Sequence, residues 1–123
     1  VMSNTSRCFI TGCDSNTEWM LPWFIKHYTK HNKTPIVFMD FGVSREMKGW
    51  LQADNIFADY ITMEKQKVGG WFYKPQALLA SPCEETCWID TDIHVLGDLS
   101  GVWDHVEDNK LGMAQLWCCC NEG

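Results

Sequence analysis

The chain has no run of basic residues, no apolar segment long enough to cross a bilayer and no internal repeat. Its formal net charge is −6, and its ten Lys and Arg are scattered. This disfavours a nucleic-acid binder, because a protein needs a basic face to hold a phosphate backbone. A transmembrane helix needs roughly 20 consecutive apolar residues, and no run approaches that length. We therefore expect a soluble protein that binds no nucleic acid.

Low-complexity stretches and linkers are also missing, and 46% of the 123 residues are hydrophobic. Seven Trp and six Phe supply bulky side chains for a core, and 21% charged residues is a usual share for a soluble protein. This length suits one domain and is too short for two of ordinary size. Residues 1–123 are therefore expected to form a single domain, or a piece of one.

The seven cysteines do not show the regular spacing of small secreted disulfide proteins. The N-terminus also lacks the charged-then-apolar pattern of a secretory signal. Both features favour a reducing, cytoplasmic setting. Cys83 and Cys87 have the spacing of half a zinc site, and the cysteine run at 118–120 could supply the other half. Free cysteine more commonly behaves as a small buried hydrophobe, which is the alternative here.

Short apolar runs alternate with amphipathic stretches along the chain. Strands are predicted at 7–13, 34–42, 55–63 and 86–90. Helices are predicted after Ser15, after Ser44 and from Phe72 to Ala80. Alternating helices and buried, non-alternating strands are typical of an α/β fold with a mostly parallel sheet and helices on both faces. We therefore expect a Rossmann-like architecture.

Some finer features of these elements can also be predicted. Ser15 and Glu18 have capping-box spacing. The apolar stripe of the first helix comprises Trp19, Met20, Trp23, Phe24, His27 and Tyr28. That of the second comprises Met47, Trp50 and Leu51. Asp98 can cap a short helical turn, and 111–117 is typical of a fifth strand. No helix follows to finish the sheet, so we expect the sequence to be truncated at its C-terminus.

Asp90 and Asp92 stand one residue apart at the end of the apolar run TCWID. In an open parallel sheet, ligands collect beyond the carboxyl ends of the strands. Residues two apart on an extended chain project to the same side, and two carboxylates there repel unless a divalent cation or a proton lies between them. Such oxygen ligands suit Mg²⁺ or Mn²⁺. An isolated D-x-D is more often a strand end and a turn, so the metal site depends on its context.

The sequence around the D-x-D resembles that of a known protein family. The segment GWFYKPQALLASPCEETCWIDTDIHVLGDLSGVWD, from Gly70 to Asp104, resembles the metal-site segment of glycosyltransferases of the GT-A fold. It is most similar to the retaining family that includes glycogenin and the bacterial lipopolysaccharide galactosyltransferases. The shared features are a Lys-bearing helix, an apolar strand, the D-x-D and a G-D-L turn. FITGCDSN and VFMDFGVS resemble the family's first two strand ends.

The resemblance implies roles for particular residues. Asp92 would be the direct Mn²⁺ or Mg²⁺ ligand, and Asp90 would bind the metal, the ribose hydroxyls of the nucleotide, or both. The metal would bridge the diphosphate and stabilise it as a leaving group. Thr11, Gly12 and Cys13 would line the nucleotide pocket at the end of the first strand.

Lysines and one further aspartate lie near the same strand ends. Lys74 is a candidate cation for the diphosphate or for orienting the Asp pair, and the alternative is a solvated helix start. Lys65 and Lys67 could close over phosphates from a glycine-bearing loop, although a solvated loop is the simpler interpretation. Asp40 either faces the same crevice or makes a turn before Gly42.

The histidines give weaker signals. His94 would approach the site if the chain stayed extended after Asp92, and otherwise it is a surface residue. His27 and His31 are one helical turn apart, but no third metal ligand is evident near them in the sequence. They are therefore typical of a solvated helix end.

The function implied by the resemblance is metal-dependent transfer of a hexosyl group, with retention, from a nucleoside-diphosphate sugar. UDP-hexose is the family's usual donor, and the acceptor is a glycan, a lipid or a protein. The family's further metal-binding His and its acceptor wall lie downstream of the D-x-D, past the end of this sequence. We therefore expect a fragment, a half that an oligomeric partner completes, or a domain without transfer activity.

Two other functions remain open. The first is a non-catalytic domain that binds a nucleotide sugar or a metal. The second is a haloacid-dehalogenase-like phosphatase, in which Asp90 would be the nucleophile and Asp92 the general acid. The phosphatase motif belongs on the first strand of its fold and ends in Thr or Val, whereas this D-x-D follows three strands and has His94 at that position.

Overall fold

The computed structural model describes residues 6–53, 57–63, 73–107 and 112. Within this part of the chain, four strands form one sheet: β1 (Arg7–Cys13), β2 (Ile36–Asp40), β3 (Asp59–Thr62) and β4 (Glu85–Trp88). The helices are α1 (Leu21–His31), α2 (Arg45–Ala53) and α3 (Tyr73–Leu79), with short 3₁₀ helices at Glu18–Met20 and Ser100–His105. Every pair of neighbouring strands is parallel, which confirms the predicted α/β fold.

The strand order is β3-β2-β1-β4. The chain steps outward from β1 to β2 and then to β3, and it afterwards crosses back to place β4 on the other side of β1. Phe9 in β1 accordingly pairs with Ile36 in β2 and with Cys87 in β4. The strand order thus reverses between β1 and β4. The carboxyl ends of these two strands therefore form a topological switch point, where open α/β sheets bind ligands.

Helices cover both faces of the sheet, as predicted. On one face Phe9, Ile36 and Phe38 belong to a cluster with side chains of α1 and α2. On the other face Ile10 and Met39 belong to a cluster with Ala77 of α3. All five residues of β2 are buried. Burial on both sides explains why these strands have continuous apolar runs and not alternating ones.

The start of α1 differs from the prediction, because Glu18 does not form a capping box with Ser15. Its carboxylate instead accepts hydrogen bonds from the backbone N–H (2.8 Å) and the hydroxyl (2.6 Å) of Ser44. The Ser44 hydroxyl oxygen accepts the N–H of Met47 (3.2 Å), so Ser44 caps α2 as predicted. α1 begins only at Leu21, after the 3₁₀ helix, and has a proline in its first turn.

Trp19 and Trp23 are not core residues, and this part of the predicted stripe is wrong. They are 72% and 40% exposed. The buried residues of α1 are Leu21, Phe24, Ile25 and Tyr28. These positions recur every three or four residues, so they occupy one side of the helix and leave Trp23 on another. In α2 the prediction is confirmed, because Leu51 is buried and Met47 and Trp50 pack against the same cluster.

Other boundaries agree with the predictions to within a few residues. β3 is shorter than the predicted 55–63, and β4 begins one residue before the predicted 86–90. The expected cap by Asp98 is wrong, because Leu99 is the N-cap of the second 3₁₀ helix; Asp98 Oδ1 accepts the N–H of Ser100 (2.8 Å) from one residue before it. In the described part of the chain no helix has both the length and the apolar character of a membrane span.

Several predictions concern residues outside the described ranges. Apart from Gly112, the predicted fifth strand at 111–117 lies there, as do Lys65, Lys67 and the cysteine run at 118–120.

Cys8 in β1 and Cys83 before β4 form a disulfide, with their Cα atoms 6.1 Å apart. Cys13 and Cys87 are free thiols. The expectation of reduced thiols is therefore wrong for this pair, and Cys83 cannot join Cys87 in a zinc half-site. The two bonded residues are 75 positions apart and meet only because β1 pairs with β4. Disulfides persist in oxidising compartments, so this bond weighs against the expected reducing setting.

Replacement of Cys83 tests the bond. Because a disulfide that closes a long loop restricts the unfolded chain, we expect Cys83→Ala to lower the free energy of unfolding by about 2–4 kcal/mol. The matched control is Cys87→Ala, which removes a free thiol and should lower the free energy of unfolding clearly less. Urea denaturation followed by circular dichroism, without reductant, measures both values. An equal loss of unfolding free energy in the two variants would contradict the disulfide between Cys8 and Cys83.

Candidate functional site

An open cavity of about 470 Å³ lies at the carboxyl ends of β1 and β4. Its walls come from the end of β1, from the loop that leads to α1, from α3 and from the segment that follows β4. Of the residues predicted for the site, five line this cavity: Gly12, Cys13, Lys74, Asp90 and Asp92. The cavity therefore occupies the switch point of the sheet, where a ligand is expected.

Two donors orient the carboxylate of Asp90. The indole Nε1 of Trp88 donates a hydrogen bond to Oδ1 (2.7 Å). The Lys74 ammonium lies 3.0 Å from Oδ1 and 3.2 Å from Oδ2. The side chains of Lys74 and Asp90 are 51% and 41% exposed, so this solvated ion pair adds little stability. The ion pair instead helps to orient Asp90, whereas the predicted role of Lys74 was to orient both aspartates, and no contact joins it to Asp92 in the described part of the chain.

Asp92 is exposed, and its carboxylate has no hydrogen bond or ion pair within the described part of the chain. The chain does not stay extended through the D-x-D as expected. The N–H of Ile93 donates to the carbonyl of Asp90 (3.2 Å), which closes a turn over Thr91 and Asp92. Asp90 and Asp92 still line the same cavity, so the turn brings them together without a shared strand face.

The two carboxylates fit a hard divalent cation. Among the described residues, no group of three or more His, Cys, Asp or Glu is arranged to hold a metal ion. Two carboxylates leave most coordination positions to water and to phosphate oxygens, which is how Mg²⁺ commonly binds beside nucleotides. The donor set therefore fits a site that a diphosphate completes, and it does not fit a site built from protein ligands alone.

Gly12 allows β1 to pass close to the chain at the end of β2. A Cβ atom at this position would lie 2.5 Å from the carbonyl oxygen of Met39 and 2.9 Å from Cε2 of Phe41. Any other residue would therefore force these two segments apart. Gly12 and Phe41 both line the cavity, so this close packing forms part of its wall.

Thr11 is fully buried and does not line the cavity. Its hydroxyl has no hydrogen-bond partner among the described residues. The predicted contact of Thr11 with a nucleotide therefore has no support from the cavity geometry, in contrast to the next two residues of β1.

Cys13 lines the cavity, and its thiol does not act as a nucleophile at neutral pH. Burial raises the pKa of its thiol to about 12. The negative charges of Asp14, Glu18 and Asp40 raise this pKa as well. A hydrogen bond with Thr17 acts in the opposite direction and is outweighed. The thiol is therefore protonated at neutral pH, and a protonated thiol does not attack.

Asp40 has the turn role and does not line the cavity. Its Oδ1 accepts the N–H groups of Gly42 (2.7 Å) and Val43 (2.9 Å). Its Oδ2 accepts the hydroxyl of Tyr60 (2.5 Å). Burial, followed by this hydrogen bond and the negative charge of Asp40, raises the pKa of Tyr60. Asp40 thus ties the loop after β2 to β3.

Asn32, just after α1, positions the loop that follows the D-x-D, and the sequence analysis missed it. Its side-chain amide donates to the carbonyl of Gly97 (3.0 Å), and its Oδ1 accepts the N–H of Leu99 (2.7 Å). Asn32 is buried, so both bonds are shielded from water. These two hydrogen bonds join residues that are 65 and 67 positions apart in the chain, so no local sequence pattern predicts them. The one available signal was an amide side chain directly after a predicted helix.

His94 does not enter the cavity. It is exposed, and its ring packs against Trp23 and His27. The exposed His31 at the end of α1 agrees with the predicted solvated helix end.

No family model matches the chain, and no curated protein is significantly similar to it. The resemblance to GT-A glycosyltransferases therefore stays a prediction.

A pair of glycine substitutions tests the close approach of β1 and β2. Gly12→Ala should lower the free energy of unfolding by about 1–3 kcal/mol, because overpacked side chains displace the backbone. Gly49 lies inside α2, and no atom lies within 4 Å of a Cβ added there. Gly49→Ala should therefore raise the free energy of unfolding by about 0.5–1 kcal/mol. Denaturant melts that show a neutral or stabilising Gly12→Ala would refute the crowding at this strand.

Proposed function

We propose that the chain is a metal-dependent glycosyltransferase domain of the GT-A type. It binds a nucleoside-diphosphate sugar, with UDP-hexose as the expected donor, and transfers the hexosyl group to a glycan, lipid or protein acceptor. The observation that carries the proposal is that Asp90 and Asp92 share a cavity with Gly12 and Cys13 at the switch point between β1 and β4.

The size and shape of the cavity support a nucleotide ligand. A volume of about 470 Å³ lies within the range of ligand pockets, roughly 300–1,000 Å³. The cavity is open to solvent, so a bound donor could meet an acceptor at its mouth. Gly12 and the protonated thiol of Cys13 line the cavity and provide a wall for the nucleoside.

The difference between the two carboxylates supports a division of roles. Trp88 and Lys74 hold Asp90 in one orientation, which suits an acceptor of ribose hydroxyls or a second metal ligand. Asp92 has no protein partner in the described ranges and is the carboxylate ready to bind a cation. A bound Mn²⁺ or Mg²⁺ would supply positive charge to the departing diphosphate.

Lys74 gives the cavity a fixed positive charge. The chain as a whole carries a net charge of −6, so a diphosphate needs local cations to approach it. The Lys74 ammonium lines the cavity beside Asp90 and can contact a phosphate oxygen while its contact with the carboxylate is kept. Lys74 would thus position the donor as well as Asp90.

A phosphatase is less well supported. In that chemistry Asp90 would attack phosphorus, but both of its oxygens already contact Lys74, and one also accepts the indole N–H of Trp88. β4, which precedes the D-x-D, is also the fourth strand along the chain, whereas the phosphatase motif follows the first. A non-catalytic nucleotide-sugar binder would use the same cavity and differs only in having no turnover.

The sequence also predicts a cytoplasmic location and an oligomer that completes the acceptor site, and we include both in the proposal. The disulfide between Cys8 and Cys83 weighs against the first of these, because reducing compartments keep thiols free.

Removal of the Asp92 carboxylate tests the proposed function. Isothermal titration of the purified protein with UDP in the presence of Mn²⁺ should show binding, and Asp92→Ala should weaken it at least about tenfold. Loss of an outer-shell partner alone typically weakens metal binding by about 10- to 100-fold, so loss of a direct ligand should cost at least as much. The matched control is Asp104→Ala, which removes an exposed carboxylate outside the cavity and should bind as the wild type does.

The outcomes separate the three functions. Equal binding by the wild type and Asp92→Ala would contradict the metal role. Mn²⁺-dependent UDP binding without release of sugar from UDP-hexoses would indicate a non-catalytic binder. Phosphatase activity that has no nucleotide preference and is abolished by Asp90→Asn would indicate the haloacid-dehalogenase-like alternative.

A further inference from the structure

Outside the cavity, Trp23 and His27 of α1 and His94 after β4 form a group that we call the Trp23–His27–His94 cluster. The ring centroids of the two histidines are 4.5 Å apart, with their planes at 84°. The centroid of the Trp23 ring lies 5.2 Å from each of them. Neither histidine belongs to a core cluster or lines the cavity.

A hydrogen bond fixes the tautomer of neutral His27. Its Nδ1 lies 2.8 Å from the backbone carbonyl oxygen of Trp23. A carbonyl only accepts hydrogen bonds, so Nδ1 carries the proton and Nε2 keeps its lone pair. Histidines that bind metals typically donate their other ring N–H to a carbonyl or carboxylate, which orients the ring. His27 therefore already has the backbone contact of a ligand histidine.

The spacing of His27 and His94 fits one shared metal ion. A metal lies about 2.0–2.1 Å from an imidazole nitrogen, so two imidazoles bound at a right angle have ring centroids roughly 4.5 Å apart. The observed centroid distance is 4.5 Å. His94 is exposed on a segment without regular secondary structure, and a shared ion requires that one of its ring nitrogens face Nε2 of His27.

We propose that His27 and His94 form a two-imidazole site for a divalent transition metal such as Ni²⁺, Cu²⁺ or Zn²⁺, with water in the remaining positions. Imidazole suits these ions, whereas carboxylates suit Mg²⁺ and Mn²⁺. The site is thus distinct in chemistry from the Asp90–Asp92 pair. It also does not depend on the proposed glycosyltransferase activity.

Titration with Ni²⁺ alone, without nucleotide, tests the site. The wild type should bind the ion saturably, and His27→Ala and His94→Ala should each weaken binding at least about tenfold, since each removes a direct ligand. His31→Ala is the matched control, because it removes an exposed histidine from the same helix and should bind as the wild type does. Circular dichroism of every variant confirms that the fold is retained.

The fluorescence of Trp23 locates the ion. Its ring lies next to both histidines, so bound Ni²⁺ should quench it. Trp23→Phe should keep the affinity for Ni²⁺ and lose part of the quenching. Absence of saturable binding would overturn the proposal. So would equal affinity in folded His27→Ala, His94→Ala and wild-type proteins, or full quenching in Trp23→Phe.

Discussion

β1 pairs in parallel with both β2 and β4, and this pairing positions the helices, the D-x-D segment and the disulfide. Because β1 is central, most of its residues are buried, and helices cover both faces of the sheet. The return of the chain from β3 to β4 places the D-x-D segment next to the end of β1. The disulfide between Cys8 and Cys83 and the ion pair between Arg7 and Glu85 (2.6 Å) join the same two regions of the chain.

The cavity combines a rigid side and an accessible side. On the rigid side, Gly12 packs against the backbone of β2, and Trp88 with Lys74 fixes the Asp90 carboxylate. On the accessible side, Asp92 lies exposed in a turn. A fixed carboxylate beside an exposed one is a suitable arrangement for a cation that must also bind a substrate oxygen, because preorganised ligands lose little freedom on binding.

The sequence predicted those parts of the fold that depend on local patterns. Buried parallel strands have continuous apolar runs, so β1 and β2 could be placed from composition alone. The serine cap of α2 also leaves a local signal, which Ser44 confirms. The D-x-D was recognised for the same reason, since both carboxylates and the apolar strand before them lie within one short segment.

The remaining features depend on contacts between distant segments. Glu18 has a capping-box spacing, yet it binds Ser44 because the start of α1 lies against the loop after β2. Asn32 gains its role only when the chain returns with Gly97 and Leu99. The exposure of Trp23 likewise depends on where α1 begins. Spacing along the chain cannot predict such contacts, because they are set by strand order and helix phase.

We propose that Asp90 and Asp92 hold a divalent cation at the ends of β1 and β4. Nuclear magnetic resonance of the labelled protein with UDP and substoichiometric Mn²⁺ tests it directly, because the paramagnetic ion broadens nearby amide signals first. We expect the signals of Gly12, Cys13 and residues 90–92 to broaden before those of Tyr60 in β3. Broadening that begins elsewhere, or that affects all amides equally, would contradict it.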